Sequence, residues 1–254
     1  MSCDRFHYQG FNHIPYALCV TVLMLMLIGG ARRTRVSGGR VDMSMDMEGQ
    51  IEEVAIELYP EHQMWVLRMT DVTNAGKVKK SVMKGELGEV AVVDAGVVVS
   101  LRALVLAATS ALTAHAAGAM RSLALPSELL VGLSPTAQVS FAFKNIGLSS
   151  SSSSLVFVWI THPGQAGKTP SLPHDLAAPV LSCVKGVAVD PSTPWSQLWD
   201  LHRIRNIYSL QESNQQSEQE SNQEVDQEAE QESEQESEQD IEAAVIQAMA
   251  LRDI

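Results

Sequence analysis

The stretch that most suggests phosphate chemistry is Gly164-Gln165-Ala166-Gly167-Lys168-Thr169, which directly follows an apolar run. A phosphate-binding loop places four residues between its first Gly and the Gly-Lys pair, so that successive backbone N–H groups wrap the phosphates. Here only two intervene, and His162 stands where the required Gly would fall. Pro170 and Pro173 disfavour the helix whose N-terminus would complete an anion site. The expectation is an ordinary Gly/Pro loop. His162 and His174 share that loop, with no carboxylate or cysteine at ligand spacing. His115 sits among alanines near a helix end and reads as a surface or capping residue. The HRIRN stretch (His202 to Asn206) echoes a kinase catalytic loop only superficially, because Asp does not follow its Arg. Asp71, Asp94 and Asp190 each fall near a strand end, where turn formation is the ordinary role. No catalytic residue, cofactor or metal is expected. A hydrolase using His162 or His174 is a rival reading.

Behind these residues stands a chain that alternates strands and helices. MWVLRMTDV (Met64 to Val72) predicts a strand with Trp65, Leu67 and Met69 on one face. Asn74 is a plausible cap for the helix NAGKVKKSVMKGEL, with Val78 and Val82 on its apolar side. Val90 to Val99 predicts a second strand, interrupted at Asp94-Ala95-Gly96. Ser100 caps a long helix that Gly118 stops. Ser127 to Ser134 reads as a third strand, and Pro135 opens a helix with Val139 and Phe143 aligned. Ser149 to Ser154 reads as a flexible connector, and Ser154 to Ile160 as a central strand. Thr161 to Ser182 reads as a long loop, and Val184 to Asp190 as a short strand. Trp195 to Leu210 predicts one helix with Leu198, Leu201, Ile204 and Tyr208 at core spacing. Asp240 caps a last amphipathic helix carrying Ile241, Val245, Ala248 and Leu251 in a stripe.

Two helical surfaces stand out. The helix after Ser100 is apolar on nearly every side: Leu101, Leu104, Val105, Ala108 and Leu112 on one, alanines on the other. Such a helix is buried twice, by neighbouring helices or by a partner. The first helix carries Lys77, Lys80 and Lys84 as one ridge, which is either a solvated face or a contact for a phosphate backbone.

The chain has 254 residues, is 45% hydrophobic and has a formal net charge of −12. That is one domain's worth of core. Twelve acidic residues and no Lys or Arg lie between Glu212 and Asp240, so this tract carries the whole net charge and the remaining body is neutral. The tract is Glu, Gln and Ser with almost no apolar side chain. It cannot offset the entropy of ordering, and reads as disordered or as a fraying polar helix, an insertion in one domain. Cys3, Cys19 and Cys183 form no framework. Tyr16 to Ile28 is a 13-residue apolar run, shorter than the roughly 20 residues a bilayer needs. Arg32, Arg33 and Arg35 follow it. Residues 1–50 read as an extension outside the fold, a targeting segment or an anchor. The last two define a rival, a secreted or membrane-anchored α+β protein.

DVTNAGKVKKSVMKG, VVDAGVVVSLRALVLAATSAL, GLSPTAQVSFAFKNIGL and LVFVWI, in that order, resemble the TPRKB (PRPK-binding protein) family of KEOPS (EKC) complex subunits. RIRNIYSL and the C-terminal helix fit the same pattern. The resemblance runs over roughly Gln63 to Leu210 and Asp240 to Ile254. It implies a non-catalytic subunit, cytoplasmic and nuclear, that binds the small atypical kinase/ATPase of the complex and supports threonylcarbamoyl-adenosine (t6A) modification of tRNA. The double-sided helix (Leu101, Leu104, Val105, Ala108, Leu112) is then expected to face the kinase. Lys77, Lys80, Lys84, Arg121 and Arg252 are expected to contact tRNA. The stretch GAMRSLALP departs from the basic pattern of the animal protein, leaving Arg121 alone there. The expected architecture is a single two-layer α+β domain with a mostly antiparallel sheet, over residues 51–210 and 240–254, with 211–239 as an insertion.

Overall fold

The computed structural model describes residues 50–162, 173–210 and 227–252. Five strands form one antiparallel sheet: β1 (Ile51–Ala55), β2 (Gln63–Thr70), β3 (Ala91–Asp94), β4 (Leu155–Thr161) and β5 (Val187–Ala188). The order is β1-β2-β4-β3, with β5 pairing the end of β2. Among the described residues seven helices accompany it: α1 (Ala75–Met83), α2 (Leu101–Ala116), α3 (Leu125–Leu133), α4 (Val139–Asn145), α5 (Pro173–Cys183), α6 (Leu201–Tyr208) and α7 (Gln227–Leu251). The class and the antiparallel pairing are as expected. β1 was not foreseen, because its IEEVA sequence offers little apolar alternation.

Helices cover both faces of the sheet, adding a third layer to the expected two. Leu67, Met69, Val92, Phe157 and Trp159 share a core with Ala75 and Val78 of α1 and Ala177 and Val180 of α5. The alternate residues Ala91, Val158 and Ile160 meet Leu125 and Leu129 of α3. Double coverage explains why β4 reads as LVFVW without alternation.

Several elements differ from expectation for identifiable reasons. Residues 127–134 lie largely in helix α3, not a strand. A short apolar run does not distinguish the two by period, and Pro126 sits in the first helical turn where its missing N–H costs nothing. Within residues 161–182, α5 forms despite Pro179, because Ala177 and Val180 are fully buried against the sheet. β2 stops at Thr70, where Asp71 takes a left-handed φ of 53°. Asn74 makes no cap bond; its amide instead donates to the Cys183 carbonyl (2.8 Å) and accepts from Lys185 N–H (2.9 Å), joining α1 to the strand after α5. The predicted Trp195–Leu210 helix splits into a short 3₁₀ turn (Trp195–Leu198) and α6, which Asp200 caps by accepting from Arg203 N–H. Leu201 is consequently exposed, while Ile204 and Tyr208 are buried. α7 runs continuously through Asp240, so that residue is no cap; Val245 and Met249, rather than Leu251, seat the helix.

Two features depend on glycine, the first as read and the second not foreseen. Gly118 ends α2 with φ 64°. Gly132 lets α3 approach α2 so closely that an added Cβ would lie 2.8 Å from the Ala107 carbonyl oxygen. Among the described residues no helix is long and apolar enough to cross a membrane. The apolar run 16–28 and the loop 164–169 lie outside them.

Candidate functional site

α2 is the structural centre of the helical layer. Ser100 accepts from Ala103 N–H (3.2 Å) and fixes its start. Leu104, Ala108 and Leu112 are buried within the chain itself, so a partner does not reach their side chains. α3 supplies most of that cover, across the Gly132–Ala107 approach. Leu101 and Val105 stay partly open, beside exposed Arg102. The expected five-residue face therefore divides into three supporting core positions and two accessible ones.

The lysine ridge is where the helix period put it. Lys77, Lys80 and Lys84 are exposed on α1 and just past its end, and Lys84 lies 3.4 Å from Glu86. Glu86 titrates below the usual carboxylate range, chiefly because Ser81 donates to it, with Lys84 adding to the effect. Arg121 is exposed in the loop before α3. The Glu128 carboxylate holds that loop by accepting from Arg121 N–H (3.0 Å) and from Ser122 N–H (2.8 Å) and hydroxyl (2.6 Å). Leu123 beside it is fully exposed.

Arg252 differs from its expected role. Its guanidinium donates to the carbonyls of Val131, Gly132 (3.0 Å) and Ser134, and to the Ser110 hydroxyl (3.1 Å). It thus satisfies the C-terminal carbonyls of α3 and ties α7 to α2 and α3, a capping task in place of a phosphate contact.

A polar hub escaped sequence reasoning. Asp94 is buried, and its carboxylate accepts from Gly96 N–H (3.0 Å), the Ser152 hydroxyl (2.6 Å) and the Arg203 guanidinium (2.9 Å). Arg203 also donates to the Asn145 carbonyl (3.1 Å). The serine run is consequently ordered: Ser152 is buried, and the carbonyls of Ser153 and Ser154 accept from Val72 and Ala95 N–H. A cleft of about 470 Å³ opens over this hub, walled by the serines, Lys144 and Asp200. No periodicity pairs Asp94 with a helix so far along the chain. Tyr208, which also belongs to α6, donates to the Leu133 carbonyl (2.8 Å), and burial pushes its phenol well above the usual range.

Among the described residues, the histidines do not assemble a catalytic group. His62 and His162 meet edge-to-face with ring centroids 4.7 Å apart at the end of the β2–β4 pair. Burial lowers the His62 pKa, the nearby His162 adds to this, and Glu61 opposes it. His115 is exposed at the end of α2. The His174 side chain lies outside the described residues. Among the described residues no cluster of three His, Cys, Asp or Glu is placed to hold a metal ion.

The profile of the family described as "Kinase binding protein CGI-121" matches residues 69–253, well over half of the chain. The chain belongs to the CGI-121 family. The match takes in every helix named above and all strands but β1 and most of β2. Among curated relatives, the EKC/KEOPS complex subunit TPRKB of Danio rerio is 29% identical over 155 residues, 61% of this chain and 83% of the relative. The EKC/KEOPS complex subunit CGI121 of Gibberella zeae is 28% identical over 163 residues, 63% of this chain and 83% of the relative. The resemblance seen in the NAG helix and the LSP element is thus a family relationship, and the CGI-121 match runs on through the acidic tract into α7.

Proposed function

We propose that this chain is a non-catalytic subunit of a KEOPS/EKC complex that binds the small atypical kinase/ATPase of that assembly. In that role it supports threonylcarbamoyl-adenosine modification of tRNA. The supporting observation is the CGI-121 match over residues 69–253, joined by two relatives whose names place them in that complex. The kinase-facing surface is assigned to the open edge of α2, Leu101 and Val105, with Leu104, Ala108 and Leu112 holding that edge from beneath. Lys77, Lys80 and Lys84, with Arg121 as a fourth cation, are assigned to tRNA. The proposed location is cytoplasm and nucleus. Co-purification of tagged full-length chain, with mass spectrometry of what accompanies it, tests the reading. A kinase-fold protein at near-equal stoichiometry is expected; its reproducible absence, or recovery of the chain in a secreted or integral-membrane fraction, would overturn the assignment.

A further inference from the structure

The cleft over the Asp94–Arg203 hub takes no part in the roles assigned above. Its volume of about 470 Å³ lies in the range of small-molecule sites. The serine turn, the end of α4, the 3₁₀ turn and the cap of α6 form its walls. These walls are set in advance. Ser149 N–H donates to the Ser152 hydroxyl (3.1 Å), which donates to buried Asp94 (2.6 Å), and Asp200 accepts from Arg203 N–H (3.1 Å). Apart from Gly96 and Leu198, every lining residue is polar or charged, so the cleft suits a polar ligand.

The charges decide which kind of polar ligand. Two acids and two bases line the cleft, so their formal charges cancel. Asp94 and Arg203 neutralise each other at 2.9 Å. Lys144 and Asp200 do not. Among the described residues neither joins an ion pair, although both border the same space. A plain anion drawn to Lys144 meets Asp200 in the same cleft, and a plain cation drawn to Asp200 meets Lys144, so each loses at one wall what it gains at the other. A molecule with a carboxylate at one end and an ammonium at the other gains at both. The Ser153 and Ser154 hydroxyls make no side-chain hydrogen bond among the described residues, and each can donate to a carboxylate or accept from an ammonium. Because the walls are fixed beforehand, little ordering opposes binding.

We propose that this cleft is a binding site for a small zwitterionic amino acid, with Lys144 and the serine turn taking its carboxylate and Asp200 its ammonium. The site uses neither the open edge of α2 nor the lysine ridge, so it stands or falls apart from the kinase and tRNA assignments.

The test uses full-length chain labelled with ¹⁵N. The backbone N–H of Gly96, in the cleft wall, reports binding, and that of Gly118, at the end of α2, serves as the control of folding. Glycine, β-alanine and γ-aminobutyrate are titrated in turn, which samples the spacing between the two charges. At least one is expected to shift the Gly96 signal saturably in the millimolar range, with its N-acetyl and its carboxamide derivative each at least fivefold weaker. Lys144→Met removes an exposed cation, and Asp200→Asn removes the charge while keeping a good helix cap. Each should weaken the best ligand severalfold while the Gly118 signal stays in place. No saturable shift with any of the three, an equal response to the N-acetyl or carboxamide derivative, or unchanged affinity in either variant overturns the proposal. An equal response to inorganic phosphate overturns it too, since the cleft would then be a plain anion site.

Discussion

The guanidinium of Arg203 meets the carboxylate of Asp94 at 2.9 Å, although 109 positions separate them in the chain. Through this pair the first turn of α6 is tied to the end of β3, and through Ser152 and Asn145 to the serine turn and the end of α4. Asp94 is 4% exposed, so its charge depends on these donors. Removing one partner of a fully buried pair costs about 3–5 kcal/mol. The Arg203 side chain is 36% exposed, which admits water to the site and lowers the expectation to about 2–3 kcal/mol. Arg203→Met should lose that much in urea denaturation. Adding Asp94→Asn should restore part of it, since the stranded charge is gone. A loss in the double variant equal to the sum of the losses in Arg203→Met and Asp94→Asn alone would mean that the pair does not couple.

The open edge of α2 separates docking from folding. Val105→Glu should leave the far-UV spectrum and melting transition intact while kinase co-purification falls at least tenfold. Leu104→Glu should instead unfold the chain or lower its melting temperature steeply, because Leu104 is fully buried and a charge there has no partner. A folded Val105→Glu protein that retains the kinase would move the interface off this helix.

Changing Lys77, Lys80 and Lys84 together to Glu should weaken tRNA binding by the full complex and flatten its salt dependence. Each phosphate contact contributes about one unit to the log–log slope. The change should fall between about two and three units, because Lys84 already has Glu86 nearby. Kinase binding should be unaffected. Filter binding at several salt concentrations decides it, and an unchanged slope removes the ridge from the tRNA surface.

Replacing residues 211–237 by a flexible Gly/Ser linker of about ten residues should leave the melting temperature and kinase binding nearly unchanged. The anchoring positions Val245, Met249 and Arg252 all lie beyond the deleted stretch. Shortening a loop changes its closure cost by only about 0.6 kcal/mol per halving. Differential scanning calorimetry would expose a hidden packing role as a fall of many degrees.

What could be read beforehand depended on how local its cause was. The caps at Ser100 and Gly118, the lysine ridge on α1 and the apolar strand β4 each arise within a few residues, and each stands where the sequence put it. The strand reading of 127–134 failed because a run of eight residues whose apolar members are Leu and Val fits either period, and contact with α2 decided between them. The serine run looked unstructured because its order comes from Asp94, far away in sequence. The division of α2 into covered and open positions was legible only as a question, since an all-apolar helix does not say whether its own chain or another supplies the second cover. Arg252 looked like a surface cation because the carbonyls it serves belong to α3.

That last contact sets a clock on synthesis. The carbonyl of Gly132 waits for a guanidinium that follows it by 120 positions. At about 5–20 residues per second, the ribosome takes on the order of 6–24 seconds to deliver it. During that interval the Gly132 carbonyl lacks its guanidinium and the flank of α2 that α7 meets is uncovered, so the nascent chain is expected to offer chaperones an apolar surface that the finished protein closes.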